Sequence, residues 1–131
     1  MLIWDIEAKQ EIASIKTPDS SNELTWINQN QVSLTSHGWI EIYDITTGTK
    51  VRTLAQGHFY TISPDKSLVA VAYLRNGISI SDFSRGKKLA DLKLEPVFLN
   101  GLAISPDGKL LAALTEFGSL IIWDISQYYN Q

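Results

Sequence analysis

The sequence predicts an all-β fold built from a repeat of about forty residues. One tetrapeptide pattern occurs four times, as Ile3-Trp4-Asp5-Ile6, Ile42-Tyr43-Asp44-Ile45, Ile80-Ser81-Asp82-Phe83 and Ile122-Trp123-Asp124-Ile125. The aspartates of successive copies lie 39, 38 and 42 residues apart. A second motif, Ile62-Ser63-Pro64-Asp65, returns 42 residues later as Ile104-Ser105-Pro106-Asp107. Self-similarity at a fixed period is the signature of a repeat architecture, and no window shows a sustained helical period of apolar residues.

Short apolar runs separated by turn residues predict the strands of each repeat. Residues 110–114 and 120–123 have strand length and flank Glu116-Phe117-Gly118, and residues 68–72 and 78–80 flank Arg75-Asn76-Gly77. Glycine at such turns supplies the positive φ that tight hairpins need. The Pro-Asp pairs of the second motif favour a turn before the second strand. Another turn and a further strand-like segment, such as residues 50–54, follow the tetrapeptide, which gives four strands per repeat.

This phasing divides the chain into four parts. The repeat period predicts a partial repeat over residues 1–16, complete repeats over residues 17–55 and 56–95, and an incomplete one over residues 96–131. Residues 125–131 are too few for a comfortable fourth strand after Asp124.

Composition indicates a packed, acidic protein. Of 131 residues, 44% are hydrophobic and 19% charged, which fits an ordinary core. A net charge of −3 argues against a nucleic-acid partner, because binding to phosphate backbones relies on clustered Lys and Arg. The absence of cysteine excludes disulfides, thiol catalysis and Cys-ligated metals. No apolar stretch approaches the ~20 residues of a membrane span, and residues 1–7 lack the features of a secretion signal. We therefore expect a cytoplasmic protein without a membrane partner, although a mature form from which a signal had been removed would have the same pattern.

The repeats resemble the WD-repeat family of β-propellers. The Ser105-Pro106-Asp107-Gly108 turn and the terminal Trp123-Asp124 match the family pattern at the family spacing. The resemblance covers essentially the whole chain and weakens toward its N-terminus. Trp4 and Trp123 hold the family tryptophan, and Tyr43 and Ser81 replace it in the other two copies of the motif. No repeat carries the complete buried set of histidine, serine or threonine, aspartate and tryptophan. The resemblance implies a β-propeller segment of about three four-stranded antiparallel blades that depend mainly on apolar packing.

Three blades do not easily close a ring, and an open arc leaves blade faces and strand edges bare. We expect either a piece of a longer or split propeller, completed by another propeller segment, or a homo-oligomer. One hypothesis is that the N-terminal fourth strand of one copy completes the last blade of another, so that two copies supply about six blades.

Candidate chemical sites have simpler structural interpretations. The repeated aspartates could bind a metal, but a feature that recurs with the repeat favours a turn that bonds local N–H groups. Trp4, Tyr43 and Trp123 could stack on a ligand or pack between blades. His37 and His58 form no metal-binding pattern, and phosphate-binding glycine motifs are absent from the sequence. We expect no catalytic residue, cofactor or metal site.

The loops that would gather on one rim of the ring carry the candidate partner-binding residues. The resemblance implies that these are the loops between fourth and first strands and between second and third strands, and that protein partners bind there. Aromatic and Arg side chains are typical anchors of protein interfaces. The candidates are Phe59, Tyr60, Arg75, Asn76, Phe98, Leu99, Glu116 and Phe117. The alternative is that these side chains fold into the blades.

The sequence therefore favours an interaction scaffold that binds a protein or peptide and is not an enzyme. A propeller-type hydrolase is the alternative, and it would need polar groups from several blades to converge in a central channel. A truncated fragment of a larger WD-repeat protein, without a function of its own, is a third interpretation.

Overall fold

The computed structural model describes residues 1–19, 21–74 and 77–129 and confirms the all-β fold class. These described residues form thirteen strands and one short 3-10 helix, Ser126–Tyr128. The strands are β1 (Leu2–Asp5), β2 (Gln10–Ser14), β3 (Ser21–Asn28), β4 (Gln31–Ser36), β5 (Trp39–Asp44), β6 (Thr49–Gln56), β7 (Phe59–Ile62), β8 (Leu68–Ala72), β9 (Ile78–Asp82), β10 (Lys88–Leu92), β11 (Leu99–Ile104), β12 (Leu110–Thr115) and β13 (Leu120–Asp124). No helix among these residues is long and apolar enough to cross a membrane.

The strands form four sheets in which neighbours in sequence are also neighbours in space. Two sheets have four strands, β3 to β6 and β7 to β10; β11 to β13 form a three-stranded sheet, and β1 pairs with β2. The aspartate of each tetrapeptide ends a strand, because β1, β5, β9 and β13 stop at Asp5, Asp44, Asp82 and Asp124. The tetrapeptide therefore marks the same position in every sheet, just before a turn.

The chain divides into two compact units, Met1–Leu54 and Ala55–Gln131. In the N-terminal unit, Ile3 of β1 and Ile15, the residue after β2, pack on the β3–β6 sheet. They join Val32, Leu34 and Tyr43 in one buried cluster. Glu41 is also buried, and its carboxylate lies 3.0 Å from the Lys50 ammonium, which compensates its charge.

In the C-terminal unit, the β7–β10 and β11–β13 sheets pack face to face. The core consists of aliphatic side chains from β8 and β9 together with side chains from the second sheet: Leu68, Ala70, Ala72, Ile78, Ile80, Leu99, Leu111, Ala113 and Ile125. All five residues of β8 are buried, which is typical of a strand in the interior of a layered fold.

The segment after β13 turns back onto this unit. Ile125 is fully buried, and the Tyr129 hydroxyl donates a 2.6 Å hydrogen bond to the Gly108 carbonyl. Among the described residues that follow Asp124, the structure has the 3-10 helix Ser126–Tyr128.

Candidate protein-interaction surface

The hairpin between β12 and β13 presents Phe117 to solvent, with 81% of the residue exposed. The Thr115 N–H donates to the Ser119 carbonyl (2.9 Å), and the Gly118 N–H donates to the Thr115 carbonyl (3.0 Å). Gly118 has φ +83°, a conformation that favours glycine. Because backbone bonds and Gly118 define the turn, its shape does not depend on the Phe117 side chain.

Two hydrogen bonds join this hairpin to the segment that leads into β11. The Glu116 N–H donates to the Phe98 carbonyl (2.9 Å), and the Phe98 N–H donates to Glu116 Oε1 (3.2 Å). Phe98 is itself 40% exposed. Two exposed aromatic residues and one carboxylate therefore lie on two segments that are bonded to each other. We call Phe98, Glu116 and Phe117 the Phe117 patch.

The other candidates lie elsewhere. Leu99, a candidate partner-binding residue, is buried in the C-terminal core, and Tyr60, another candidate, is buried on β7. Phe59 packs partly buried against the same core. The reason is that β7 begins at Phe59 and β11 at Leu99, so these residues belong to strands rather than to loops. Arg75 and Asn76 lie outside the described residues.

Within each sheet of the C-terminal unit, the register places the start of the first strand beside the end of the second strand. Phe59 is opposite Ala72 on β8, and Leu99 is opposite Thr115 on β12. The segment that leads into β11 and the β12–β13 hairpin thus lie at the same end of the β11–β13 sheet.

The repeated aspartates are turn residues, as the structural interpretation predicts. Asp44 Oδ1 accepts hydrogen bonds from the N–H groups of Thr46 (2.7 Å) and Thr47 (3.2 Å). Asp82 Oδ1 accepts from the Arg85 N–H (2.9 Å) and the Ser84 hydroxyl (2.8 Å). Hydrogen bonds to the charged carboxylates lower the pKa of both residues. The main cause is a bond from the Thr46 hydroxyl for Asp44 and the bond from the Arg85 N–H for Asp82.

Asp5 and Asp124 have the same local role. Asp5 Oδ1 accepts from the Ala8 N–H (2.9 Å), and Asp124 Oδ1 accepts from the Ser126 N–H (2.9 Å) and hydroxyl (2.5 Å). The Ser126 hydroxyl is the main cause of the lowered pKa of Asp124. Within the described ranges, no group of three or more His, Asp or Glu residues could hold a metal ion.

The Ser-Pro-Asp motif forms a second kind of closed turn. Ser63 donates its hydroxyl to Asp65 Oδ1 (2.7 Å) and accepts the Leu68 N–H (2.9 Å). Ser105 makes the equivalent bonds to Asp107 Oδ1 (2.6 Å) and the Leu110 N–H (3.0 Å). Each serine thus connects the turn to the first residue of the next strand.

The conspicuous aromatic and histidine residues are mainly structural. Tyr43 is buried in the N-terminal core, and Trp123 packs against the C-terminal core. Trp4 differs, because its side of β1 faces away from the N-terminal core and 56% of the residue is exposed. His37 lies in a turn with φ 51°. His58 lies one residue before β7, and its ring stacks on the Tyr73 ring with the two centroids 5.3 Å apart.

Comparison with known proteins gives one distant similarity. No protein-family model matches the chain. The chain is 21% identical over 145 residues to the apoptotic protease-activating factor 1 of Danio rerio, a WD-repeat protein. The match covers 98% of this chain and 12% of that protein, so the chain spans about an eighth of the relative's length. Together with the strand-rich sheets, this similarity supports a WD-like repeat.

Proposed function

We propose that the chain is a non-enzymatic interaction scaffold that binds a protein or peptide through the Phe117 patch. The observation that carries this proposal is the pair of reciprocal hydrogen bonds between Phe98 and Glu116, which hold two exposed aromatic residues at one end of a sheet. Aromatic side chains commonly anchor protein interfaces, and a surface that is ordered before binding loses less conformational entropy when the partner arrives.

The chemistry of the patch suggests the kind of partner. Phe117 offers an apolar ring outside the sheet, and Glu116 carries one of the negative charges of a chain whose net charge is −3. A complementary ligand is a peptide or loop that supplies an apolar side chain next to Lys or Arg. The proposal includes a cytoplasmic location, no nucleic-acid or membrane partner, and completion of the propeller by self-association or by another segment.

The similarity to a WD-repeat protein supports the scaffold class in general. Loops on a rigid β framework are a common location for binding residues. The Phe117 hairpin fits this pattern because it connects two strands of the sheet that packs into the C-terminal core.

A peptide selection tests the proposal. A displayed library of random peptides is selected on the immobilised chain, and the best binder is titrated by calorimetry against the wild type, Phe117→Ser and Ile6→Ser. Ile6 is a matched control because it is 88% exposed at a turn of the N-terminal unit. Phe117→Ser should weaken binding at least about tenfold, the effect of an interface anchor, whereas Ile6→Ser should leave the affinity unchanged.

Thermal unfolding of the three proteins separates binding from folding. Substitutions at such exposed positions change stability by about 0.5 kcal/mol or less. The proposal is wrong if Phe117→Ser binds the peptide as the wild type does, or if no peptide can be selected. A large loss of thermal stability would instead assign Phe117 to the core.

A further inference from the structure

The sheets of this chain have two kinds of apolar face. In the C-terminal unit, one face of the β7–β10 sheet packs against the next repeat, and we call this the following face. It consists of Leu68, Ala70, Ala72, Ile78 and Ile80, all buried. The β11–β13 sheet meets it with its preceding face, which includes Leu111, Ala113 and Trp123. Burial of both faces is thus achieved by packing one repeat on the next.

The following face of the β11–β13 sheet is equally apolar but exposed. Each residue of the buried following face of the β7–β10 sheet has an equivalent 42 positions later in the sequence. These equivalents are Leu110, Ala112, Leu114, Leu120 and Ile122. These residues share one face, because Ala112 is opposite Ile122 and Leu114 is opposite Leu120. The four large side chains are between 43% and 63% exposed. A contiguous apolar patch of this kind marks an interaction surface.

The N-terminal unit has a preceding face that is only partly covered. On the β3–β6 sheet, Val32 and Leu34 are buried under Ile3 of β1. Their partners on β3, Trp26 opposite Val32 and Leu24 opposite Leu34, belong to the same face and remain 55% and 64% exposed. The β1–β2 pair therefore covers part of this face and leaves the part on β3 open.

We infer that a second copy of this chain supplies the missing cover, and that its β13 replaces β1. The β11–β13 sheet of the second copy would lay its following face on Leu24, Trp26, Val32 and Leu34, and β2 would become its fourth strand. This inference rests on the proposed function, in which self-association completes the propeller. It adds which surfaces of the two copies meet.

The sequence of β13 explains why it can take the place of β1. Ile122-Trp123-Asp124-Ile125 matches Ile3-Trp4-Asp5-Ile6 at every position. In the structure Ile3 is opposite Ala13 and Trp4 is opposite Glu11 on β2, and Ile122 and Trp123 would occupy the same positions.

The balance of buried surface favours the exchange. The pairing of β2 with a four-residue β1 is lost, and a nearly identical pairing with β13 is gained. In addition, Leu110, Leu114 and Leu120 become covered on one copy, and Leu24 and Trp26 on the other. Burial of apolar surface is the main favourable contribution to protein association.

Sedimentation velocity with complementary variants tests the inference. The wild type is compared with Ile122→Glu, which damages the following face, and with Trp26→Glu, which damages the preceding face. The wild type should associate as its concentration rises from about 1 to 100 µM, a range that covers micromolar dissociation constants. Each variant alone should stay monomeric. An equimolar mixture should form a one-to-one complex, because each variant retains the face that the other lacks.

Two controls identify the surface. Trp4→Glu alters an exposed residue of β1 and should associate like the wild type, because β1 leaves the interface. Phe117→Ser should also associate normally, so a failure of the proposed peptide binding and a failure of this inference are separable. Circular dichroism checks that each variant is folded, and Leu120→Glu replaces Ile122→Glu if the latter does not fold.

Several outcomes would overturn the inference. These are a monomeric wild type at all concentrations, normal association of either face variant alone, or a mixture that stays monomeric. Loss of association in Trp4→Glu would show that β1 remains in the interface and would contradict the strand replacement.

Discussion

Ile80 and Ile122 occupy the same position in successive repeats, and their truncation should have very different effects. Ile80 is fully buried between two sheets, whereas Ile122 is 56% exposed. Both residues lie in the C-terminal unit, so Ile80→Ala and Ile122→Ala change the stability of the same compact unit. Both are introduced into the Trp26→Glu background, in which the inferred association is blocked.

The size of each effect follows from burial. Replacing Ile by Ala removes three carbon atoms, which correspond to about 2.4 kcal/mol when they are fully buried. At Ile80 the cavity adds to this loss, so the free energy of unfolding should fall by about 3–4 kcal/mol. At Ile122 less than half of the residue is buried and no enclosed cavity forms, so the loss should be about 1 kcal/mol.

Urea-induced unfolding followed by circular dichroism measures both values. With a slope of about 1–3 kcal/mol per molar urea, Ile80→Ala should lower the midpoint by at least about 1 M, well beyond the shift for Ile122→Ala. Equal shifts for the two variants would refute the assignment of a packed face to one position and an open face to the other.

Two further predictions concern turns. Gly77→Ala should destabilise the protein more than Gly86→Ala, as measured by thermal unfolding, because a Cβ at Gly77 would lie 2.8 Å from the Leu92 carbonyl oxygen, whereas nothing lies within 4 Å at Gly86. Both glycines have positive φ, so Gly86→Ala should still cost about 1–2 kcal/mol, and equal costs would contradict the described contact. The pKa of Asp44 and Asp82 is lowered in the fold, so their contribution is present above the unfolded value of about 3.9 and is lost as pH falls further. Urea midpoints should therefore decrease below about pH 4, and less steeply in Asp44→Asn; an unchanged profile in that variant would contradict the assigned role.

The strand pattern is predictable because each repeat carries the same tetrapeptide at the same position relative to its strands. The Asp of the tetrapeptide accepts hydrogen bonds from the residues that follow it, so it lies where a strand ends and a turn begins. This signal is local and depends on residue type and spacing alone. It therefore predicts a turn directly after the tetrapeptide strand of a repeat without knowledge of the tertiary structure.

The environment of a residue within the repeat was not predictable in the same way. Trp4 and Trp123 have the same sequence context, yet Trp4 is exposed and Trp123 packs on the C-terminal core, because burial depends on which sheet lies opposite. Similarly, Leu99 and Tyr60 were expected in loops because the boundary between loop and strand has no distinct residue signal. The buried position of Ile125 depends on contacts with residues far away in sequence, which periodicity does not report.

Equivalent apolar faces are packed in the β7–β10 sheet and open in the β11–β13 sheet. The chain contains no cysteine, so single Ile80→Cys and Ile122→Cys variants report accessibility directly through their rate of thiol labelling. In dilute solution Ile122→Cys should react almost as fast as a free thiol, and Ile80→Cys should react orders of magnitude more slowly, because its labelling requires opening of the core. At high concentration the rate for Ile122→Cys should also fall as a second copy covers it. Similar rates for the two variants in dilute solution would show that the two positions are equally accessible and that the β11–β13 face is not open.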